Sequence, residues 1–190
     1  MRIKDDSKRE ALLQATVSVV NQTGFVAASV SKIASAAGVS PATLYTYFEN
    51  KDDLIVSTYM ALMSRMSDGI FRGVDTGLPT REALYAIWRR TFEYVSRNRG
   101  DFLYTEQFSK SPYLKHLKLE DLQSFFAPLI SVVRRGVDEK VLKDVHFHMH
   151  ILFFYYPILT LANPGSCHSV AIDEATINTA FQLAWDAIKL

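Results

Sequence analysis

The chain of 190 residues has a single cysteine, Cys167, so no disulfide can close within it and it suits a reducing compartment. Long apolar runs are missing too. The longest, residues 151–162, contains Pro157 and falls short of the ~20 residues that cross a bilayer. Charged residues recur through positions 1–10, and Asn21-Gln22 closes the apolar stretch that follows, which is not the pattern of a signal peptide. A cytoplasmic protein with no membrane partner is expected. There is no Gly-rich phosphate loop, and no Ser or Cys nucleophile in a motif that would activate it. Neither catalytic residues nor a cofactor are expected. An excess of one charge is also lacking: 21 Lys and Arg against 20 Asp and Glu leave a net charge of +1. Within residues 1–56, Arg2, Lys4, Lys8, Arg9, Lys32 and Lys51 are balanced by Asp5, Asp6, Glu10, Glu49, Asp52 and Asp53. That is not the basic footprint of a strong nucleic-acid binder.

The distribution of charge says more than its sum. Residues 26–48 contain no acidic side chain, and eight of them carry a hydroxyl. Hydroxyls and backbone amides make phosphate contacts where Arg and Lys are scarce. In the same stretch Val30, Ile33, Ala34 and Ala37 fall at i, i+3, i+4, i+7, an apolar stripe of helical period. Ser29 is placed to cap that helix, and Gly38 to end it with a positive φ. Ser40-Pro41 starts another helix at once, a hydroxyl cap followed by proline where no amide is needed. Leu44 and Phe48 form an inward i, i+4 pair. Two short helices pinched at residues 37–40 predict a helix-turn-helix, whose second helix enters the DNA major groove.

At Gly24-Phe25, Ile33-Ala34, Ala37-Gly38-Val39-Ser40, Thr43-Leu44-Tyr45, Tyr47-Phe48 and Asn50-Lys51 the chain resembles the DNA-binding domain of the TetR/AcrR transcriptional regulators. The resemblance covers roughly the first quarter of the sequence. It departs at Ala28, where the family usually has Thr, and at Lys32, where an acidic residue often completes a capping box. It implies that Pro41, Ala42 and Thr46 approach base edges and that Thr43, Tyr45, Tyr47 and Lys51 touch phosphates. Lys32 and the two capping hydroxyls, Ser29 and Ser40, complete the expected DNA-facing set. No side chain on the second helix can make a bidentate contact to guanine or adenine, so base readout should be weak per copy.

The remainder is helical in pattern, giving an all-α chain of eight to ten helices, with no alternating strand signal. Expected helices cover residues 8–23, 50–71, 80–97, 102–108, 119–138 with a kink at Pro128, 144–161 and 172–190. Phe25 is expected beneath the helix-turn-helix, and the turn-rich Asn163-Pro164-Gly165-Ser166 between the last two helices. The expected domains are residues 1–50, which bind DNA, and residues 51–190, which bind ligand and dimerise. The helix after Asn50 becomes, by resemblance, the lever between them.

A short recognition helix reads few base pairs, so specificity asks for two copies on a palindromic operator and hence a homodimer. Ile177, Ala180, Phe181, Ala184 and Ile188 are the candidate dimerisation stripe; the same stripe would equally pack inside one chain. By resemblance the body encloses a pocket for a small-molecule effector, with Trp88, Phe92, Tyr104, Phe125 and Tyr155 as its candidate lining. Few charges fall on the inward stripes, which favours a neutral or aromatic ligand. His146 and His150 have the spacing of a metal-ligand pair, with Cys167-His168 beyond a turn, but no zincin pattern accompanies them. No metal is expected, and a solvated or interface pair is the favoured reading. The expected function is a ligand-responsive transcriptional repressor. Alternatives are a helical metal-dependent enzyme using these histidines, or a DNA-binding adaptor with a protein partner.

Overall fold

The computed structural model describes residues 6–163 and 171–190. The backbone forms α1 (Asp6–Ala27), α2 (Val30–Ala36), α3 (Pro41–Tyr47), α4 (Lys51–Phe71), α5 (Thr80–Arg97) and α6 (Arg99–Ser109). A 3-10 turn (Pro112–His116) follows, then α7 (Leu119–Phe125), α8 (Ala127–Asp138) and α9 (Phe147–His150). A π turn (Ile151–Tyr155) leads into α10 (Tyr156–Ala162), and α11 (Glu174–Ile188) closes the chain. No strand occurs among the described residues, only one bridge between Leu142 and Lys189. The turn at residues 164–166 and Cys167-His168 lie outside the described residues.

The chain separates into two compact units. The first comprises Met1–Arg65 and Gly100–Asp121. Its helix α1 buries Leu12, Leu13, Thr16 and Val20 and is interrupted at Gly24, with φ 74° and ψ 166°. That region is open essentially to glycine alone. Ile33 and Ala34 of α2 and Leu44 of α3 are fully buried, and Phe48 nearly so, while Val30 and Ala37 are half-buried. Asn50 Oδ1 accepts from the Asp53 amide at 2.9 Å, and Asp53 Oδ2 accepts from the Glu49 amide at 2.9 Å, a reciprocal cap that starts α4.

Phe25 is half-buried within an aromatic cluster. Its ring meets Tyr104 edge-on at 5.5 Å, Phe108 at 6.2 Å and Tyr113 at 5.4 Å. Tyr59 of α4 stacks on Phe108 at 4.1 Å. The Tyr104 hydroxyl donates to the Ile55 carbonyl at 2.8 Å, and Asn21 Nδ2 donates to the Gly100 carbonyl at 2.8 Å. These contacts fold residues 100–121 onto the DNA-binding helices, so the compact units do not follow the expected division at residue 50.

The second unit comprises Met66–Arg99 and Leu122–Leu190. Its core gathers Leu84, Ile87 and Trp88 of α5, Leu129, Val132 and Val133 of α8, Phe154, Tyr155 and Ile158, and Ile177, Phe181 and Trp185 of α11. Trp88, Phe154 and Phe181 meet in pairs at 5.3, 5.7 and 6.2 Å, all three tilted or edge-on. Tyr85 donates its hydroxyl to Asn178 Oδ1 at 2.6 Å, and Arg81 donates to Gln182 Oε1 at 2.9 Å, which fastens α11 to α5.

Two prolines redraw the expected helices. Residues 119–138 are not one kinked helix; α7 ends at Phe125 and α8 begins at Ala127, with Phe126 at φ −105°, ψ 9° between them. Pro128 lacks an amide and tolerates only the first turn of a helix. Pro157 acts likewise: it sits in the first turn of α10, and the ladder before it widens so that the Tyr156 amide reaches back five residues to the Ile151 carbonyl.

Gly24→Ala places a Cβ at a φ/ψ that L side chains avoid, so it should cost about 1–3 kcal/mol of stability in urea unfolding. Full stability in that variant would mean that α1 runs on unbroken.

Candidate nucleic-acid interface

The helix-turn-helix presents its hydroxyls in two ways. Ser29 Oγ accepts from the Lys32 amide at 3.3 Å and Ser40 Oγ accepts from the Thr43 amide at 3.1 Å, each capping its helix as expected. Gly38, at φ 67°, makes the turn between them. Ser29, Ser31, Lys32, Ser35, Ser40, Pro41, Ala42, Tyr45 and Thr46 are exposed; Thr43, Tyr47 and Lys51 are half-buried. Every residue of the expected DNA-facing set is thus exposed or half-buried. Tyr45 is turned outward, not packed. Thr46 Oγ1 donates to the Ala42 carbonyl at 3.3 Å, leaving its oxygen free to accept. The Lys32 ammonium donates to the Ala27 carbonyl at 3.1 Å and the Lys51 ammonium to the Phe25 carbonyl at 2.7 Å. Each keeps two further protons for a phosphate. Arg9 of α1 lies over the Phe48 ring, 5.7 Å from its centre.

The candidate effector residues are divided between the two units. Trp88 and Tyr155 are buried in the second unit, Phe92 is half-buried against the same core, and Phe125 is half-buried. Tyr104 belongs to the first unit, where its hydroxyl is held by the Ile55 carbonyl.

The candidate dimerisation stripe is corrected outright. Ile177, Phe181, Ala184 and Ile188 are each at most 4% exposed and form the inner face of α11 in a single chain, with Ala180 half-buried beside them. The outward apolar surface lies elsewhere: Met149 (42%), Leu152 (42%), Phe153 (51%) and Tyr156 (47%), with Leu183 of α11 at 67%. The first four are spaced i, i+3, i+4, i+7 and so were visible in the sequence. The segment is apolar on both sides, however, and periodicity does not say which side faces in.

The histidines do not form a ligand pair. His146 is exposed and its Nδ1 accepts from the His148 amide at 3.2 Å, whereas His150 is only 1% exposed. Among the described residues no three His, Cys, Asp or Glu side chains converge as metal ligands. No helix among them is long and apolar enough to cross a membrane.

The fold and this surface define a class, the helix-turn-helix transcriptional regulators, and comparison with known proteins gives the family. The family model for bacterial regulatory proteins of the tetR family matches residues 12–58, and that for the tetracyclin repressor-like C-terminal domain matches residues 59–190. The chain belongs to the TetR family. Its relatives are transcriptional regulators, not enzymes. It is 34% identical to a TetR family transcription regulator from Marinobacter aquaeolei VT8, over 100% of this chain and 99% of that one, with a TM-score of 0.88. The HTH-type transcriptional regulator BetI of Rhizobium meliloti (strain 1021) is 33% identical over 85 residues, 45% of this chain but only 42% of BetI. The chain therefore spans less than half of that relative. The transcriptional regulator FadR from Bacillus subtilis, solved in complex with stearoyl-CoA, shares the fold at a TM-score of 0.69 and 18% identity, over 94% of this chain and 98% of that one.

Burial holds the His150 imidazole below its ordinary pKa, opposed by the Lys143 backbone and the Asp144 charge. The unfolded chain takes up that proton near pH ~6.5, and the folded chain resists it. Stability is therefore complete above that pH and declines as the pH falls through it. Melting between about pH 7.5 and about pH 5.5 should show this decline in the wild type and a shallower one in His150→Leu. Equal slopes would place the acid sensitivity in other groups.

Proposed function

We propose that this protein is a repressor that binds a palindromic operator as a homodimer and is released by a small, mostly apolar or aromatic effector. The observation that carries the DNA reading is the acid-free, hydroxyl-rich surface of α2 and α3, held on a packed head by Leu44, Phe48 and the Lys51–Phe25 contact. Pro41, Ala42 and Thr46 read bases, with Lys32 beside them; Ser29, Ser40, Thr43, Tyr45, Tyr47 and Lys51 meet phosphates. Residues 1–50 are the reading head and residues 51–190 the regulatory body, and the protein works in the cytoplasm.

The outward stripe of Met149, Leu152, Phe153 and Tyr156, with Leu183, supports the dimer. Two copies of it would pair the last two helical segments of each chain about a two-fold axis. The axis would set the heads about 34 Å apart, one DNA turn. The aromatic core around Trp88 supports effector binding, as does the likeness in fold to FadR, which is solved in complex with stearoyl-CoA. An effector releases DNA only through its greater affinity for the non-binding conformation.

Selection from a random DNA pool should enrich an inverted repeat. Thr46→Ala should relax base preference and Tyr47→Phe should weaken all sequences alike, each by about tenfold or less. Failure to enrich any repeat would remove operator recognition. In sedimentation the wild type should run as a dimer and Phe153→Glu or Leu183→Glu as a monomer that keeps its helical content. A monomeric wild type would overturn the two-fold arrangement.

A further inference from the structure

Residues 107–119, in the first unit, hold Lys110, Lys115, His116 and Lys118 and no Asp or Glu. Lys110 is engaged locally, its ammonium donating to Glu106 Oε1 at 2.8 Å. Lys115, His116 and Lys118 are exposed and make no ion pair among the described residues. The 3-10 turn Pro112–His116 gives this segment a defined backbone. Ser111 Oγ donates to the Phe108 carbonyl at 2.7 Å and accepts from the Tyr113 amide at 3.3 Å, and Pro112 fixes φ in the first turn. The Leu117 amide closes the turn on the Leu114 carbonyl at 3.1 Å.

Tyr113 decides where the turn sits. Its ring meets Phe25 at 5.4 Å and Phe108 at 6.4 Å, and the Asp52 carboxylate lies beside its hydroxyl. The same Phe25 holds the Lys51 ammonium through its carbonyl, and Asp52 follows Lys51 in the chain. The turn is therefore packed at the corner where α4 begins. Lys115 is two residues from Tyr113, at most ~7 Å of chain.

We propose that Lys115 and Lys118, with His116 between them, are a second contact to the DNA backbone, binding phosphates in addition to those met by α2, α3 and Lys51. This rests on the DNA-binding reading and extends it to a segment far from the helix-turn-helix in sequence. Ammonium groups free of carboxylates suit a phosphate partner, and these belong to the compact unit that carries the reading helices. Magnitudes favour the same partner. Between Val26 and Lys51 the only cations are Lys32 and Lys51. Each phosphate neutralised adds ~0.9 to the dependence of log affinity on log salt, so two lysines give a slope of about two and four give about four. Hydroxyls position the head on the backbone but release no counterions. Lys115 and Lys118 thus supply charge that the α2–α3 surface lacks. The acids that follow, Glu120 and Asp121, lie in the first turn of α7, where carboxylates complement the helix dipole.

The test uses the full chain, the selected inverted repeat and a random-sequence duplex of equal length, with affinity measured at several salt concentrations. The paired variant Lys115→Gln with Lys118→Gln should weaken both duplexes alike by about tenfold or more and lower the salt slope by about two per chain. Arginine at both positions should keep the wild-type slope. Both lysines are exposed, so melting should be unchanged in either pair. Arg134→Gln, which removes an exposed charge from the second unit, should leave the slope as it is. A wild-type slope in the glutamine pair, a loss confined to the selected repeat, or an equal loss in Arg134→Gln and in Lys115→Gln alone would each overturn the proposal. So would vesicles of phosphatidylglycerol that retain the wild type and not the glutamine pair while the DNA slope is unchanged, which would give the surface to a membrane. The two readings fail separately. A wild type that binds neither duplex removes DNA binding and this surface together. A wild type that enriches a repeat, with the glutamine pair unaffected, removes this surface alone.

Discussion

Phe25 is where the first unit is joined. Its backbone carbonyl takes the Lys51 ammonium at 2.7 Å, and its ring enters the cluster of Tyr104, Phe108 and Tyr113. Both contacts depend on Gly24, whose positive φ turns the chain out of α1 immediately before it. One residue therefore fixes the start of α4 behind the recognition helix and the place of α6 beside α1. A charge-assisted bond and aromatic packing are each modest in water, but here they act on the same residue and constrain the same turn.

That junction changes what a domain means in this chain. Order along the sequence separates a reading head from a body. Packing instead places Gly100–Asp121 with the head, because Tyr104 and Phe108 are buried against Ile55, Tyr59 and Phe25. Helix α6 is thus an insertion into the DNA-binding unit carried by the chain of the body. The head is accordingly packed on residues far from it in sequence.

In the second unit the physical theme is a helical segment with two apolar sides. His150, Phe154, Tyr155 and Ile158 face inward, while Met149, Leu152, Phe153 and Tyr156 face out. The inward side sets a phenol and an imidazole among otherwise apolar buried side chains. The outward side has no polar atom except the Tyr156 hydroxyl, so it offers area and shape. The two sides are set by one turn, the π turn that Pro157 imposes.

The local features of the head were legible in the sequence because each is decided within a few residues. Ser29 and Ser40 cap, Gly24 and Gly38 turn, Leu44 and Phe48 face in, and the acid-free stretch lies on the surface. The all-α class followed from periodicity, and the family from spaced pairs in the same stretch. What only the tertiary structure decided involves partners distant in the chain. Phe25 packs on residues some eighty positions away, Tyr104 packs in the first unit, and the Ile177–Ile188 stripe is core. Period alone gives an apolar face but not its neighbour, since burial against the same chain and burial against a second copy have the same hydrophobic signature. The direction each face takes is set by packing, which the sequence specifies only through the whole fold.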